Sequence, residues 1–117
     1  MTATYWRASG SDMIAVALSS DFASVSSFGT MNLIEERETR PIILGDFNVY
    51  DLSAYKSTRL KGYTLSTDTV AYMSMPGDNG TLDYIVIPQS NYRLKDVTCP
   101  DEYVSDHRAL LATIEPL

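Results

Sequence analysis

The chain has 117 residues, 44% hydrophobic and 21% charged, with a formal net charge of -6. That is the size of one domain with a modest core, and the composition is ordinary for a soluble globular protein. The acidic balance speaks against non-specific binding along a nucleic-acid backbone unless a metal ion or a local basic patch intervenes. It leaves a small phosphorylated substrate open. Cys99 is the single cysteine, which excludes an internal disulfide. With no second histidine to activate it, Cys99 reads as a small, partly buried residue at a strand end rather than a nucleophile.

Thr4-Tyr5-Trp6 is β-prone and opens the chain as a first strand. Met13 to Leu18 is a compact apolar run, expected as a buried strand. It is far too short to cross a bilayer and lacks the flanks of a signal peptide, so no membrane insertion is expected and an intracellular location is favoured. Phe22, Val25, Phe28, Met31 and Ile34 recur at helical spacing, with Glu35 to Glu38 as a polar exit and Pro41 as the stop. Ile42 to Phe47 reads as a central strand.

Val49 to Tyr63 is polar with scattered aromatics, a loop with a helical turn. Val70 to Met75 has strand character, and Pro76-Gly77-Asp78-Asn79-Gly80 is dense turn chemistry. Thr81 to Ile87 is the next strand, ended by Pro88; Tyr92 to Val97 is a weaker one; Arg108 to Ile114 is the last, before Pro116. One domain over 1–117 with an α/β or α+β layered architecture follows.

Three acidic clusters stand beside these strands. In Gly45-Asp46-Phe47-Asn48, the carboxylate and the amide sit at i and i+2 and point to one side of an extended chain. They can aim at one ligand, or they can be turn punctuation, since Gly, Asp and Asn favour turns. Asp106-His107 offers a hard oxygen ligand suited to Mg²⁺ beside an imidazole that titrates near neutrality. Read alone, the pair is rather a cap, since Ser105 and Asp106 are common capping residues and a lone His is more often structural. Asp83 sits in Leu82-Asp83-Tyr84-Ile85-Val86-Ile87, where a carboxylate costs free energy unless it is partnered or faces water. His107 is the natural partner, since a buried Asp that fixes a His tautomer recurs in hydrolytic sites.

Taken jointly, GDFN at 45–48, LDYI at 82–85 and SDH at 105–107, in that order and each beside an apolar strand, resemble the endonuclease/exonuclease/phosphatase family. The resemblance implies a DNase I-like layered β-sandwich with a flanking helix and a divalent-metal-dependent phosphoesterase, with nucleic acid, DNA or RNA, as the default phosphodiester substrate. It implies that Asp46 orients the attacking water or the metal-bound reactants and that Asn48 contacts the scissile phosphate. Asp106, with Asp46, would hold Mg²⁺ or Mn²⁺. His107 would act at the phosphate by proton transfer or charge stabilisation, and Asp83 would hydrogen-bond that histidine.

The resemblance covers roughly the second half of a family domain, from Met13 onward, and reads as a truncated one. The early Asn and the metal-binding Glu of the family's first half have no counterpart. Glu35, Glu36 and Glu38 stand on the expected helix, the wrong place for that ligand. Ala17 falls where many members carry a polar residue that serves the phosphate. Half of such a sandwich exposes a sheet face, so a homodimer or a partner chain is expected to cover it. The alternative function is a catalytically impaired half-domain that serves as a binding or assembly module. Substrate choice would sit in Asp51 to Tyr63 and Met75 to Gly80. The first holds the basic cluster Lys56, Arg59 and Lys61, which reads as a solvated loop before it reads as a phosphate contact. Tyr50, Tyr55 and Tyr63 could stack on bases or cap the core.

Overall fold

The structure, a computed structural model, describes residues 3–7, 14–18, 42–78, 80–101 and 106–117. The described strands are β1 Ala3–Arg7, β2 Ile14–Leu18, β3 Ile42–Asp46, β4 Tyr63–Leu65, β5 Asp83–Pro88, β6 Tyr92–Thr98 and β7 Leu111–Pro116. They form two sheets. The larger has the order β1-β2-β3-β5-β4, and the smaller pairs β6 with β7. β2 and β3 run parallel, while the other neighbours are antiparallel.

β3 and β5 lie at the centre because both are β-branched runs that are apolar on both faces. Their two-residue alternation then sorts the core. Ile43, Tyr84 and Val86 turn to one face, with Tyr63 and Leu65 of β4, and are covered by Phe47, Leu52 and Leu60. Leu52 comes from the 3-10 turn Leu52–Tyr55, which folds the loop after β3 back as a lid. Ile42, Ile85 and Ile87 turn to the other face and pack against Leu94 of β6, Leu110, and Ala112 and Ile114 of β7. Each fully buried aliphatic side chain contributes about 1.5–3 kcal/mol.

That second face positions the acids. Asp46 is in phase with Ile42 and Leu44, and Asp83 with Ile85 and Ile87, and the register sets Asp46 directly opposite Asp83. Both carboxylates therefore project from the face on which the small sheet packs. The chain reaches that end of the sheet again just before β7. β6 and β7 carry a register shift between Leu94 and Asp96, and Arg93 and Lys95 bridge to Glu115 across the pair.

Several expectations shift. Val70 to Met75 is not a strand: Val70 and Met73 are exposed, and only Met75 pairs, as a bridge with Gly80 around the 3-10 turn Pro76–Asp78. Tyr72 and Ser74 spend their side chains on β5 instead. β4, at three residues, emerges from the end of what reads as loop. Asp83 opens β5 rather than interrupting it, and the last strand begins at Leu111 rather than Arg108. The expected helix from Phe22 to Ile34, Glu35 to Glu38, Pro41 and Ser105 lie outside the described residues. Among the described residues, no helix is long and apolar enough to cross a membrane.

Candidate active site

The end of β3 is shaped by three neighbours of Asp46. Gly45 has φ 130°, a left-handed value that a side chain would strain. Phe47 is fully buried; its N–H donates to the Leu82 carbonyl at 2.9 Å, and its ring meets Tyr84 edge-on, 5.5 Å between centroids. Asn48 has φ 53°, a conformation that asparagine tolerates, and its backbone N–H donates to Asp46 Oδ1 at 2.8 Å. Turn punctuation and site geometry are thus one device: the Asx-type turn holds the Asp46 carboxylate while Phe47 anchors it from below. Tyr84 completes the anchor. Its hydroxyl donates to the Val49 carbonyl at 2.8 Å, and burial pushes its pKa up to about 12.

His107 closes the group from the segment before β7. Its Nδ1 lies 2.6 Å from Asp83 Oδ2, and its Nε2 lies 4.0 Å from Asp46 Oδ2. An ionised Asp83 fixes the tautomer: Nδ1–H donates to the carboxylate, and Nε2 is turned toward Asp46. The hydrogen bond to Asp83 raises the His107 pKa above its ordinary value, helped by the charges of Asp83, Asp46 and Asp106 against the opposing effect of burial. Like charges opposite one another on paired strands repel. A protonated imidazole beside Asp46 and Asp83 relieves that repulsion.

One ligand atom from each of Asp46, Asp83 and His107 falls within 4.8 Å of the others. Asp106 is exposed next to His107 and stands outside this group, near enough for its charge to act on the imidazole. Asn48 is exposed beside Asp46. The donor set fits a hard divalent cation. Three carboxylates surround a single imidazole, so the corner stays negative even with His107 protonated. Mg²⁺ needs only one or two carboxylates, completing its shell with water and substrate oxygens.

Three hydroxyl residues that the sequence analysis does not single out back this site. Ser66 and Ser74 are fully buried, and with Tyr72 they bond to the backbone of β5 around Asp83. The one sequence signal was the i, i+2 spacing of Tyr72 and Ser74, which sends two hydroxyls to the same side of an extended chain. Two members of the basic cluster have intramolecular partners: Lys56 bridges to Asp68, just beyond β4, at 2.8 Å, and Arg59 stacks over Tyr55. Of the three tyrosines weighed for stacking, Tyr63 is core and Tyr50 is exposed.

A solved structure with this fold is the human Nocturnin catalytic domain with a bound sulfate anion. It aligns with a TM-score of 0.59 at 16% sequence identity, over 90% of this chain and 47% of that one. The fold is a sheet-rich, DNase I-like α+β sandwich, and the chain spans about half the length of the structure it matches. No protein-family model and no curated protein matches the sequence.

Proposed function

We propose that the chain is a divalent-metal-dependent phosphoesterase of the endonuclease/exonuclease/phosphatase type, acting on a phosphodiester, with nucleic acid as the default substrate. One observation carries the reading. The end of β3, the start of β5 and the segment before β7 are far apart in sequence, yet they bring Asp46, Asp83 and His107 within 4.8 Å. Such convergence has no use in the core, since both acids lie beyond the apolar layer. The Nocturnin domain holds sulfate, a tetrahedral oxyanion as phosphate is.

In this reading Asp83 accepts a hydrogen bond from Nδ1–H and directs Nε2 toward the Asp46 corner, where the imidazole gives or takes a proton at a phosphoryl oxygen. Asp46, its other oxygen held by the Asn48 N–H, orients the attacking water. The exposed Asn48 amide would bond a phosphate oxygen. Asp106 and Asp46 would hold Mg²⁺ or Mn²⁺. Bound there, the cation supplies charge neutralisation on the phosphoryl group.

The test is hydrolysis of bis(p-nitrophenyl) phosphate and of plasmid DNA with Mg²⁺ or Mn²⁺. Turnover should fall about 10²- to 10⁴-fold in His107→Ala, the usual worth of a general acid or base. A folded protein with no turnover in either metal would overturn the proposal. A second reading, a non-catalytic binding or assembly half-domain that self-associates or takes a partner chain, is favoured by the 47% coverage of the Nocturnin domain. It predicts a folded, metal-independent protein whose mass in solution exceeds that of one chain.

A further inference from the structure

Asp83 lies where β5 has run past its neighbour. β4 pairs with Pro88, Ile87 and Val86 and goes no further. From there toward Asp83, side chains continue the ladder. The Ile85 N–H donates to Ser66 Oγ at 3.0 Å, and the Asp83 carbonyl accepts from the Tyr72 hydroxyl at 2.8 Å. The Asp83 and Leu82 N–H groups both donate to Ser74 Oγ, at 3.0 and 3.1 Å. Ser66 Oγ and the Tyr72 hydroxyl are 2.6 Å apart. Tyr72 donates its O–H to the Asp83 carbonyl, so Ser66 is the donor between them. Ser66 and Tyr72 are thus linked to each other and to β5, and both Ser66 and Ser74 are fully buried.

Ser74 does one thing more. Its backbone carbonyl accepts the N–H of Arg108, the residue after His107, at 2.7 Å. A single residue therefore grips the backbone of Asp83 with its side chain and the backbone beside His107 with its main chain. Buried, fully satisfied polar networks specify one geometry more sharply than apolar packing does. This network runs along the Asp83 end of β5, beside Tyr84 and Ile85 of the two core clusters.

We propose that Ser74 is the positioning residue of the site, braced by Tyr72, and that it sets the distance between the Asp83 carboxylate and the His107 imidazole. The inference deepens the phosphoesterase reading and rests on it for its consequence in turnover. A misplacement of about 1 Å far from the chemistry can cost roughly 100-fold in rate.

The experiment reads the imidazole itself. The protein has one histidine, so its ring resonances identify themselves. In the wild type, Nδ1–H should give a downfield proton signal in slow exchange, because it is held by Asp83 at 2.6 Å. Ser74→Ala and Tyr72→Phe should move that signal upfield or broaden it away. They should also weaken Mn²⁺ binding about 10-fold or more, the usual cost of losing outer-shell support, with the circular dichroism spectrum unchanged. Ser74→Thr, which keeps the hydroxyl, should restore both. If Ser74→Ala does not fold, Tyr72→Phe, which deletes one oxygen, carries the test. An unchanged Nδ1–H signal in the folded variants overturns the positioning role. A wild type with the signal but with neither Mn²⁺ binding nor turnover overturns the phosphoesterase reading and leaves the positioning role standing, so the two failures are distinct.

Discussion

Replacing Asp83 by asparagine separates the electrostatics of the site from its shape. The amide has nearly the size of the carboxylate, but it cannot bind the imidazolium as an ion. Two effects oppose each other. The amide oxygen still accepts from Nδ1–H, so what is lost is the charge assistance, part of the about 1.5–3 kcal/mol that a hydrogen bond to a charged group is worth. Loss of the repulsion between Asp46 and Asp83, opposite each other in register, returns about 0.2–1 kcal/mol. The side chains of His107 and Asp83 are only 26% and 18% exposed, so solvent screening leaves most of the bond intact. The net cost is about 1 kcal/mol at pH 5.5, where His107 is protonated. That is small against the roughly 6–18 kcal/mol expected for a chain of this length, so the variant folds.

The sign with pH follows from linkage. The folded-state pKa of His107 is raised above its ordinary value of 6.5. The stability it contributes is therefore fully present below that value and is lost as pH rises through the folded pKa. The cost of Asp83→Asn should shrink accordingly between pH 5.5 and pH 9. Urea unfolding at the two pH values is the assay. At an m-value of about 2 kcal/mol/M, the acidic midpoint should drop by about 0.5 M. An equal cost at both pH values, or a variant more stable than wild type at pH 5.5, would refute the reasoning.

Other consequences follow from the same geometry. Phe47→Ala should destabilise by about 3–5 kcal/mol and, because Phe47 lies between Asp46 and Asn48, should abolish turnover in whatever fraction remains folded. Gly45→Ala should cost roughly 1–3 kcal/mol, since φ 130° strains any side chain; chemical unfolding measures both. Tyr84, whose pKa rises in the fold from 10.0 to about 12, keeps its proton better folded than unfolded. Stability should therefore fall as pH passes 10, and Tyr84→Phe should show a shallower alkaline loss in thermal melts across that range.

The strands legible in the sequence are those that hydrophobic patterning alone determines. β3 and β5 are unbroken apolar runs, and the alternation within them already implied that Asp46 and Asp83 share faces with Ile42 and Ile85. The pairing of Asp83 with His107 could be anticipated, because a carboxylate in an apolar strand requires a partner. β4 was hidden because three residues are too few for a period to show. Val70 to Met75 reads as a strand because Val70 and Tyr72 are strand-prone residues, whereas the segment's task is to send hydroxyls to the β5 backbone. A buried serine such as Ser74 leaves no mark in composition beyond its i, i+2 spacing from Tyr72; its importance exists only once β5 and the segment before β7 are adjacent.

The central claim is that Asp46, with Asp106, holds a divalent cation beside the Asp83–His107 pair. Titrating Mn²⁺ into the protein while watching the ring protons of its one histidine tests this most directly. The account predicts selective paramagnetic broadening of the His107 signals at low metal concentration, abolished by Asp46→Ala. Ring signals that stay sharp in the folded protein, while signals elsewhere broaden, would contradict it.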